Sequence, residues 1–267
     1  MRHLVNCCLY FSLAFFHFNS DEIMLVAHRG ASADAPENTL AAVQLAWEQD
    51  ADAVEIDIHL SKDGRVMVHH DKDTKRTANG PKKYIKETNS TALRSIDVGT
   101  FKGEKYKGEK YKGEKIPFLE EVLATIPEEK HLVIEIKSGM DVVPAMTSVI
   151  KNSEKEEQVI FISFDFEAIV QTKKSFPDNK ALYLCHYFEP FGTKKLFHKV
   201  KEAGLDGLDL NYKIIDSSVM ELADLMDLEI HAYTVNELTE AKRLIALGVK
   251  SITTDQPAKL RAVISDQ

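Results

Sequence analysis

The chain has 267 residues, of which 44% are hydrophobic and 28% are charged. This length suits a single barrel or α/β domain, and the composition excludes collagen-like and intrinsically disordered chains. The formal net charge of -8 excludes a generally basic surface of the kind that neutralises nucleic-acid phosphates, so no nucleic-acid partner is expected.

The first 23 residues form a hydrophobic segment ahead of the first predicted strand. Arg2 precedes an apolar stretch over residues 4–18, which is similar to the front of a signal peptide. Polar residues interrupt this stretch, no small-residue cleavage site follows it, and it is shorter than the roughly 20 residues of a membrane span. We therefore predict that Met24 is the natural start and that the protein is cytoplasmic. The alternative is export or membrane anchoring through residues 1–23.

From Met24 onward, short β-branched runs alternate with longer segments of helical periodicity, which is typical of a parallel sheet wrapped by helices. The runs predict eight strands at residues 24–27, 51–58, 131–137, 158–163, 180–185, 206–210, 228–234 and 249–254. Amphipathic segments predict helices that include residues 37–49, 118–126, 166–175, 216–226 and 237–247. Eight β/α units favour an α/β fold, a (β/α)8 TIM barrel over residues 24–267. The alternative is an open doubly wound sheet, but no G-x-G-x-x-G motif follows the first strand.

The connection between the second and third predicted strands is about seventy residues long and must contain structure of its own. Asp63-Gly64 predicts a tight turn, so residues 56–61 and 66–69 should form a hairpin that extends the second strand. A polar insertion follows over residues 72–116. It contains three tandem pentamers that end in Lys-Gly-Glu-Lys and start at Phe101, Tyr106 and Tyr111. We interpret them as a tandem expansion in a surface loop; the alternative is a basic-aromatic strip that contacts anionic lipid or substrate headgroups.

Polar side chains cluster at the carboxyl ends of the first predicted strands, where barrel enzymes carry their reactive groups. Glu55 and Asp57 stand two residues apart in the second strand, which places both carboxylates on one face, and Glu135 lies in the third strand. Because burying such acids unpaired is costly, we predict that they bind one divalent metal ion, Mg²⁺ or Ca²⁺, since both ions prefer oxygen ligands. The alternative is that Glu55 and Asp57 pair with Arg29 and Lys137 in a salt-bridge network.

His28 at the end of the first strand and His70 after the hairpin are expected to flank this cation site. An imidazole pKa near 6.5 suits one histidine to accept a proton and the other to donate one. Arg29 and Lys137 favour an anionic substrate, because cations stabilise a phosphoryl group in its transition state. His69 should point away from this pocket, since it alternates with His70 along the chain.

An ordered series of motifs resembles the glycerophosphodiester phosphodiesterases over nearly the whole chain, from Met24 to Pro257. The motifs are His28-Arg29-Gly30, Pro36-Glu37-Asn38-Thr39, the segment from Glu55 to Gly64, His70-Asp71, Arg76-Thr77, Glu135-Ile136-Lys137, Tyr233-Thr234-Val235-Asn236 and Thr254-Asp255-Gln256-Pro257. The resemblance implies a TIM barrel with a small insertion after strand two. It also implies hydrolysis of small glycerophosphodiesters to sn-glycerol 3-phosphate and an alcohol.

The resemblance further implies a role for each residue of the cluster. The metal ligands would be Glu55, Asp57 and Glu135, the general acid-base pair His28 and His70, and the phosphate contacts Arg29 and Lys137. Which histidine is the acid stays open, as does whether water or a substrate hydroxyl attacks phosphorus.

Two positions depart from the family pattern. Ala78 stands where a second threonine usually follows Arg-Thr, and Tyr233 stands where many relatives have tryptophan. Both are expected at the substrate pocket, as is His59, which shares a strand face with Asp57. Alternative functions are a lysophospholipase D-like activity on lysophospholipids and non-catalytic binding of glycerophosphodiesters; the sequence does not indicate an oligomeric state.

Overall fold

The computed structural model describes residues 23–78, 80, 82–101, 110–189 and 192–264. Its strands are β1 (Met24–His28), β2 (Ala53–Leu60), β3 (Val66–Val68), β4 (His131–Ile136), β5 (Val159–Ser163), β6 (Ala181–Cys185), β7 (Gly207–Asn211), β8 (Glu229–Tyr233) and β9 (Ser251–Thr254). Its α-helices are α1 (Leu40–Glu48), α2 (Ser90–Leu93), α3 (Leu119–Leu123), α4 (Val143–Lys151), α5 (Phe166–Ser175), α6 (Thr193–Glu202), α7 (Ser217–Met226), α8 (Leu238–Leu247) and α9 (Pro257–Ile264).

Eight of the nine strands close into a parallel barrel, because β1 pairs with both β2 and β9. The ring runs β1-β2-β4-β5-β6-β7-β8-β9, and β3 lies antiparallel against the end of β2. This architecture confirms the predicted (β/α)8 TIM barrel. It brings the carboxyl ends of the eight parallel strands to one face, where barrel enzymes carry their sites.

The strands bury side chains on both faces, as expected of a parallel sheet covered by helices. Val54, Ile56 and Ile58 of β2 are fully buried in the layer between the barrel and its helices. The alternate residues of β2 therefore face the barrel lumen, which contains a second, smaller apolar cluster. Glu55 and Asp57 project into this lumen beside apolar neighbours.

The predicted hairpin is confirmed, since β3 pairs with β2 through Ile58↔Val68 and Leu60↔Val66. Gly64, with φ +77°, occupies the turn in a conformation that favours glycine. Part of the insertion packs against this hairpin in a small core formed by Met67, Ala78, Ile85, Leu93, Val98 and Ile116. The expectation that Ala78 lines the substrate pocket was wrong, because its side chain belongs to this separate core.

Helix α1 begins at Leu40 and not at residue 37, because the preceding segment is a cap. Thr39 Oγ1 accepts a hydrogen bond from the backbone N–H of Ala42 at 3.1 Å. Asn38 has φ +57°, outside the helical region. Glu37 and Asn38 therefore lie before the helix, where their side chains form hydrogen bonds with site residues.

Two segments singled out in the sequence lie partly or wholly outside the described residues. Residues 1–22 and 102–109 are not among the described residues. The expectations for the hydrophobic segment and for most of the pentamers therefore stay predictions. Tyr111, which starts the third pentamer, is buried and donates a hydrogen bond to the carbonyl of Asp34 at 3.0 Å. Among the described helices, none combines the length and apolar character that a membrane crossing requires.

Candidate active site

The carboxyl ends of the barrel strands enclose a cavity of about 300 Å³. Of the seven residues predicted to bind metal, bind phosphate or transfer protons, six line it, namely His28, Arg29, Glu55, His70, Glu135 and Lys137. The remaining one, Asp57, is fully buried next to Arg29 and Lys137. Barrel closure thus brings all of these residues to one site.

The three carboxylates converge tightly. One oxygen from each of Glu55, Asp57 and Glu135 lies within 4.8 Å of the others. The strand register explains this, because Asp57 pairs with Glu135 across β2 and β4, and Glu55 lies two residues earlier on the same face. The three residues are only 2%, 0% and 8% exposed, so water screens their mutual repulsion poorly.

The pKa values of these groups reflect that repulsion. Burial raises the pKa of Glu55 well above its usual value, and Asp57 and Glu135 add to the effect. Burial also raises the pKa of Glu135 to about 7, with a further contribution from Asp57. For Asp57 burial acts in the same direction, but Arg29 and Lys137 outweigh it and lower the pKa. The cluster therefore stabilises additional positive charge, either a proton or a cation.

The salt-bridge network considered from the sequence is present in part, because Asp57 pairs with Arg29 and Lys137 but Glu55 forms no such pair among the described residues. Lys137 Nζ lies 2.8 Å from Glu135 Oε1 and 3.5 Å from Asp57 Oδ1, while Arg29 Nε lies 3.3 Å from Asp57 Oδ2. Glu55 is held differently: its Oε2 accepts a hydrogen bond from the backbone N–H of Arg29 at 2.8 Å. Its buried Oε1 has no hydrogen-bond partner among the described residues. Two cations leave one of three acids uncompensated, and this all-oxygen donor set fits a hard divalent cation.

A carboxylate holds each histidine of the expected acid-base pair. His28 Nδ1 lies 2.7 Å from Asp255 Oδ1, and His70 Nδ1 lies 2.6 Å from Asp71 Oδ1. A carboxylate on Nδ1 fixes the ring orientation and leaves Nε2 for proton transfer. Burial lowers the pKa of His70 although Asp57 opposes this, so its neutral form predominates at about pH 7.

No sequence pattern assigned a role to Asp255 or Asp71, although both stand in the motifs described above. Asp255 directly follows β9 and lies 227 residues from His28, so only the pairing of β1 with β9 brings the two together. Asn236 fixes the other carboxylate oxygen of Asp255 by donating a hydrogen bond at 2.7 Å. Adjacency to His70 was the one local signal available for Asp71.

The turn after β1 orients Arg29. Arg29 has φ +55° and Gly30 has φ +80°, and a Cβ on Gly30 would lie 2.5 Å from a backbone carbon of Ala42, so only glycine fits. Arg29 Nη1 donates a hydrogen bond to Glu37 at 2.9 Å. Glu37 also accepts two hydrogen bonds from Arg76, each at 2.7 Å. Glu37 thereby connects the insertion to the face of the barrel where the strands end.

We expect Glu37→Gln to lower the free energy of unfolding by about 2 kcal/mol at about pH 7, and by much less at about pH 3. Burial raises the pKa of Glu37, but hydrogen bonds from Arg76 and the charge of Arg29 outweigh it and lower the pKa to about 2. The stabilisation is therefore complete above the unfolded value of 4.5 and is lost as the pH falls toward 2. Denaturant unfolding measures the difference, with Glu129→Gln at an exposed position as control. An equal loss at both pH values would contradict the ion-pair explanation.

His59, a candidate pocket residue from the sequence, lies beneath the site and not among the described residues that line the cavity. It is 8% exposed; its Nε2 lies 3.0 Å from the carbonyl oxygen of His70, and its Nδ1 lies 2.9 Å from Ser138 Oγ. It is thus placed to support the backbone of His70. His69 is buried outside the cavity, with Nε2 3.2 Å from the carbonyl oxygen of Asp73, in line with the orientation expected for it.

The far wall of the cavity carries Tyr233, the other candidate pocket residue from the sequence. Its ring packs edge-on against Phe164, with centroids 6.1 Å apart. Asp209 on β7 lines the same wall, and burial raises its pKa to about 8, with Glu135 adding to the effect. No sequence pattern singled out Asp209, because one acidic residue in a strand carries no periodic signal.

Comparison with known proteins puts the chain among the phosphoric diester hydrolases built on a TIM barrel. The model of the glycerophosphoryl diester phosphodiesterase family matches residues 28–259. The chain therefore belongs to this family, as the motif series indicated.

Similar proteins and structures carry the same activity in their names. The glycerophosphodiester phosphodiesterase of Caldanaerobacter subterraneus subsp. tengcongensis is 35% identical over 244 residues, which cover 89% of this chain and 96% of that protein. The Bacillus subtilis glycerophosphodiester phosphodiesterase is 30% identical over 251 residues, which cover 89% and 85%. The structure of an Oleispira antarctica phosphodiesterase in complex with the product sn-glycerol-3-phosphate has a TM-score of 0.82 at 28% identity and covers 91% and 96%. The chain is accordingly an enzyme that hydrolyses glycerophosphodiesters.

Proposed function

We propose that this enzyme releases sn-glycerol 3-phosphate and an alcohol, and that it depends on one divalent metal ion, Mg²⁺ or Ca²⁺. The observation that carries the proposal is the convergence of Glu55, Asp57 and Glu135 within 4.8 Å in a buried site beside two histidines. The Oleispira relative was solved with sn-glycerol-3-phosphate as its product, which supports the same product here.

The three carboxylates would hold the metal, and Glu55 Oε1 is a buried oxygen that lacks a hydrogen-bond partner among the described residues. When bound, a divalent cation offsets charge on the phosphoryl oxygens and lowers the pKa of an attacking hydroxyl. Asn38 positions one ligand, because its Nδ2 donates a hydrogen bond to Asp57 Oδ2 at 2.8 Å. Such a neighbour restricts the orientation of the ligand and thus its fit to the metal.

Arg29 and Lys137 would contact the substrate phosphate. Both line the cavity, and their side chains are only 17% and 19% exposed, so their charges act through a poorly screened medium. Burial lowers the pKa of Lys137, but Asp57 and Glu135 outweigh it, so the amine stays charged. The two cations would stabilise the negative charge that accumulates on the phosphoryl oxygens.

His28 and His70 would act as the acid-base pair. One imidazole accepts the proton of the attacking hydroxyl as its oxygen bonds to phosphorus; the other, protonated, donates its proton to the alcohol oxygen as that P–O bond breaks. Asp255 and Asp71 orient the rings through Nδ1, so Nε2 is the atom that exchanges protons. The same pair serves attack by water or by a substrate hydroxyl.

Treatment with EDTA is expected to lower the hydrolysis of glycerophosphocholine about 100-fold or more, because the uncompensated carboxylates would then repel the phosphate. Released sn-glycerol 3-phosphate measures the rate, and circular dichroism checks that the chelator leaves the fold intact. Adding Mg²⁺ or Ca²⁺ should restore activity, and the better of the two identifies the metal. Unchanged hydrolysis in excess EDTA would overturn the metal assignment.

A lysophospholipase D-like activity is the second candidate. Human lysophospholipase D is 24% identical over 271 residues, which cover 88% of this chain. The bond broken is of the same kind, and the substrate adds an acyl chain. Phe164 at the cavity is 45% exposed, which offers apolar surface to such a chain. The ratio of kcat/KM for lysophosphatidylcholine to that for glycerophosphocholine separates the two activities.

A further inference from the structure

The strand across the barrel from the carboxylate cluster carries an acid that the proposed reaction does not use. The ring order places β7 directly opposite β2. Leu208 and Leu210 of β7 are fully buried toward the helices, so alternation directs Asp209 between them into the lumen. There Asp209 lines the same cavity as the catalytic histidines.

One carboxylate oxygen of Asp209 lacks, within the described part of the chain, the partner that a buried carboxyl group needs. It is 3% exposed, and its Oδ1 has no hydrogen-bond partner among the described residues. Its lumen neighbours include the apolar side chains of Ile162 and Leu184, which also line the cavity. An unsatisfied buried polar group destabilises a fold, and folds retain such groups where a ligand or water completes them. Asp209 is therefore suited to bind a polar group that enters the cavity.

A second unsatisfied group lies close to the first. Tyr233 belongs to β8, which pairs with β7, and its buried hydroxyl has no hydrogen-bond partner among the described residues. Burial raises the pKa of this phenol, and the charge of Asp209 adds to the rise, as expected for two nearby groups. The edge-on contact with Phe164 limits the orientation of the ring. The cavity thus presents two groups on neighbouring strands that can form hydrogen bonds, at the wall opposite the carboxylate cluster.

We propose that Asp209 and Tyr233 form a polar subsite that hydrogen-bonds an aliphatic hydroxyl of the phosphodiester substrate. The inference rests on the proposed function and extends it from the phosphate to the groups esterified to it. A hydroxyl both donates and accepts, so one such group can satisfy the carboxyl group and the phenol together. With the phosphate at Arg29 and Lys137, its ester groups extend into the remaining space, and a cavity of about 300 Å³ has room for a glycerol-sized group.

The test compares Tyr233→Phe and Asp209→Leu with the wild-type enzyme on two substrates. Glycerophosphocholine carries hydroxyls only on its glycerol, whereas glycerophosphoglycerol carries them on both ester groups. We expect each variant to raise KM about tenfold for both substrates with kcat within about threefold, because the glycerol is common to them. Asp209→Leu should also raise the melting temperature, since it removes an unsatisfied carboxyl group. Tyr183→Phe, whose ring packs against Phe166 of α5, is the matched control and should keep the wild-type KM.

A KM rise confined to glycerophosphoglycerol would also support the subsite and would identify the leaving alcohol as the group bound. Unchanged KM for both substrates in both variants would overturn it while leaving the proposed function intact. If Asp209→Leu does not fold, Asp209→Asn takes its place. If the wild-type protein hydrolyses neither substrate, the proposed function fails separately, and calorimetry then tests the subsite. Weaker binding of glycerophosphoglycerol by the variants than by the wild-type protein, with unchanged binding of inorganic phosphate, supports the subsite. Unchanged binding of glycerophosphoglycerol in both variants overturns it.

Discussion

Replacing His70 with asparagine is expected to lower kcat for glycerophosphocholine by about 10²–10⁴-fold, with little change in KM. Asparagine retains a polar side chain of moderate size but cannot accept or donate a proton in the reaction. His28→Asn should have an effect of the same order, since the two imidazoles would act in one proton-transfer cycle in the proposed mechanism. Initial rates of sn-glycerol 3-phosphate release measure both variants.

The control for this pair is His198→Asn, because His198 is exposed on α6, away from the strand ends. It should retain wild-type kcat. The double variant should lose little more than either single variant, since residues that act as a unit are not additive. Near-normal kcat in both single variants would contradict the two-histidine assignment.

Glu55→Gln is expected to lower activity about 100-fold or more and to weaken metal binding, while it stabilises the metal-free protein by about 1 kcal/mol. The two effects have opposite signs because one charge causes both. In the metal-free fold this carboxylate is buried, and Asp57 and Glu135 repel it. In the metal-bound enzyme the same charge would become a ligand.

Calorimetric titration with Mg²⁺ or Ca²⁺ measures the first effect, and thermal unfolding in EDTA measures the second. Glu129→Gln, at an exposed position, changes neither if the effects belong to the buried site. Lower stability of Glu55→Gln in EDTA would mean that ion pairing of Glu55 outweighs the repulsion, and would contradict the description of the cluster as uncompensated.

Features of the barrel that depend on neighbouring residues could be predicted from the sequence, whereas contacts between distant strands could not. Local patterns sufficed for the existence and order of the eight barrel strands, for the hairpin around Gly64, and for the shared face of Glu55 and Asp57. In each case a period of two residues or a turn dipeptide determines the geometry, whatever surrounds it. The observed strand limits differ from the predicted ones by a residue or two, since the hydrogen bonds between strands determine where each strand ends.

Only the tertiary structure decided which residues form hydrogen bonds and ion pairs with His28 and Glu37. Asp255 reaches His28 because the last strand closes against the first, and Arg76 reaches Glu37 because the insertion folds back over the site. Ala78 proved to be part of a separate core, and Asp209 proved to line the cavity at the strand ends without a partner for its Oδ1 among the described residues. These facts depend on barrel closure and on the register between distant strands. The sequence by itself determined the fold class and the strand positions of the three carboxylates, whereas barrel closure determined which residues they and the histidines contact. The physical reason is that contacts between strands far apart in the chain produce no periodic pattern in the sequence.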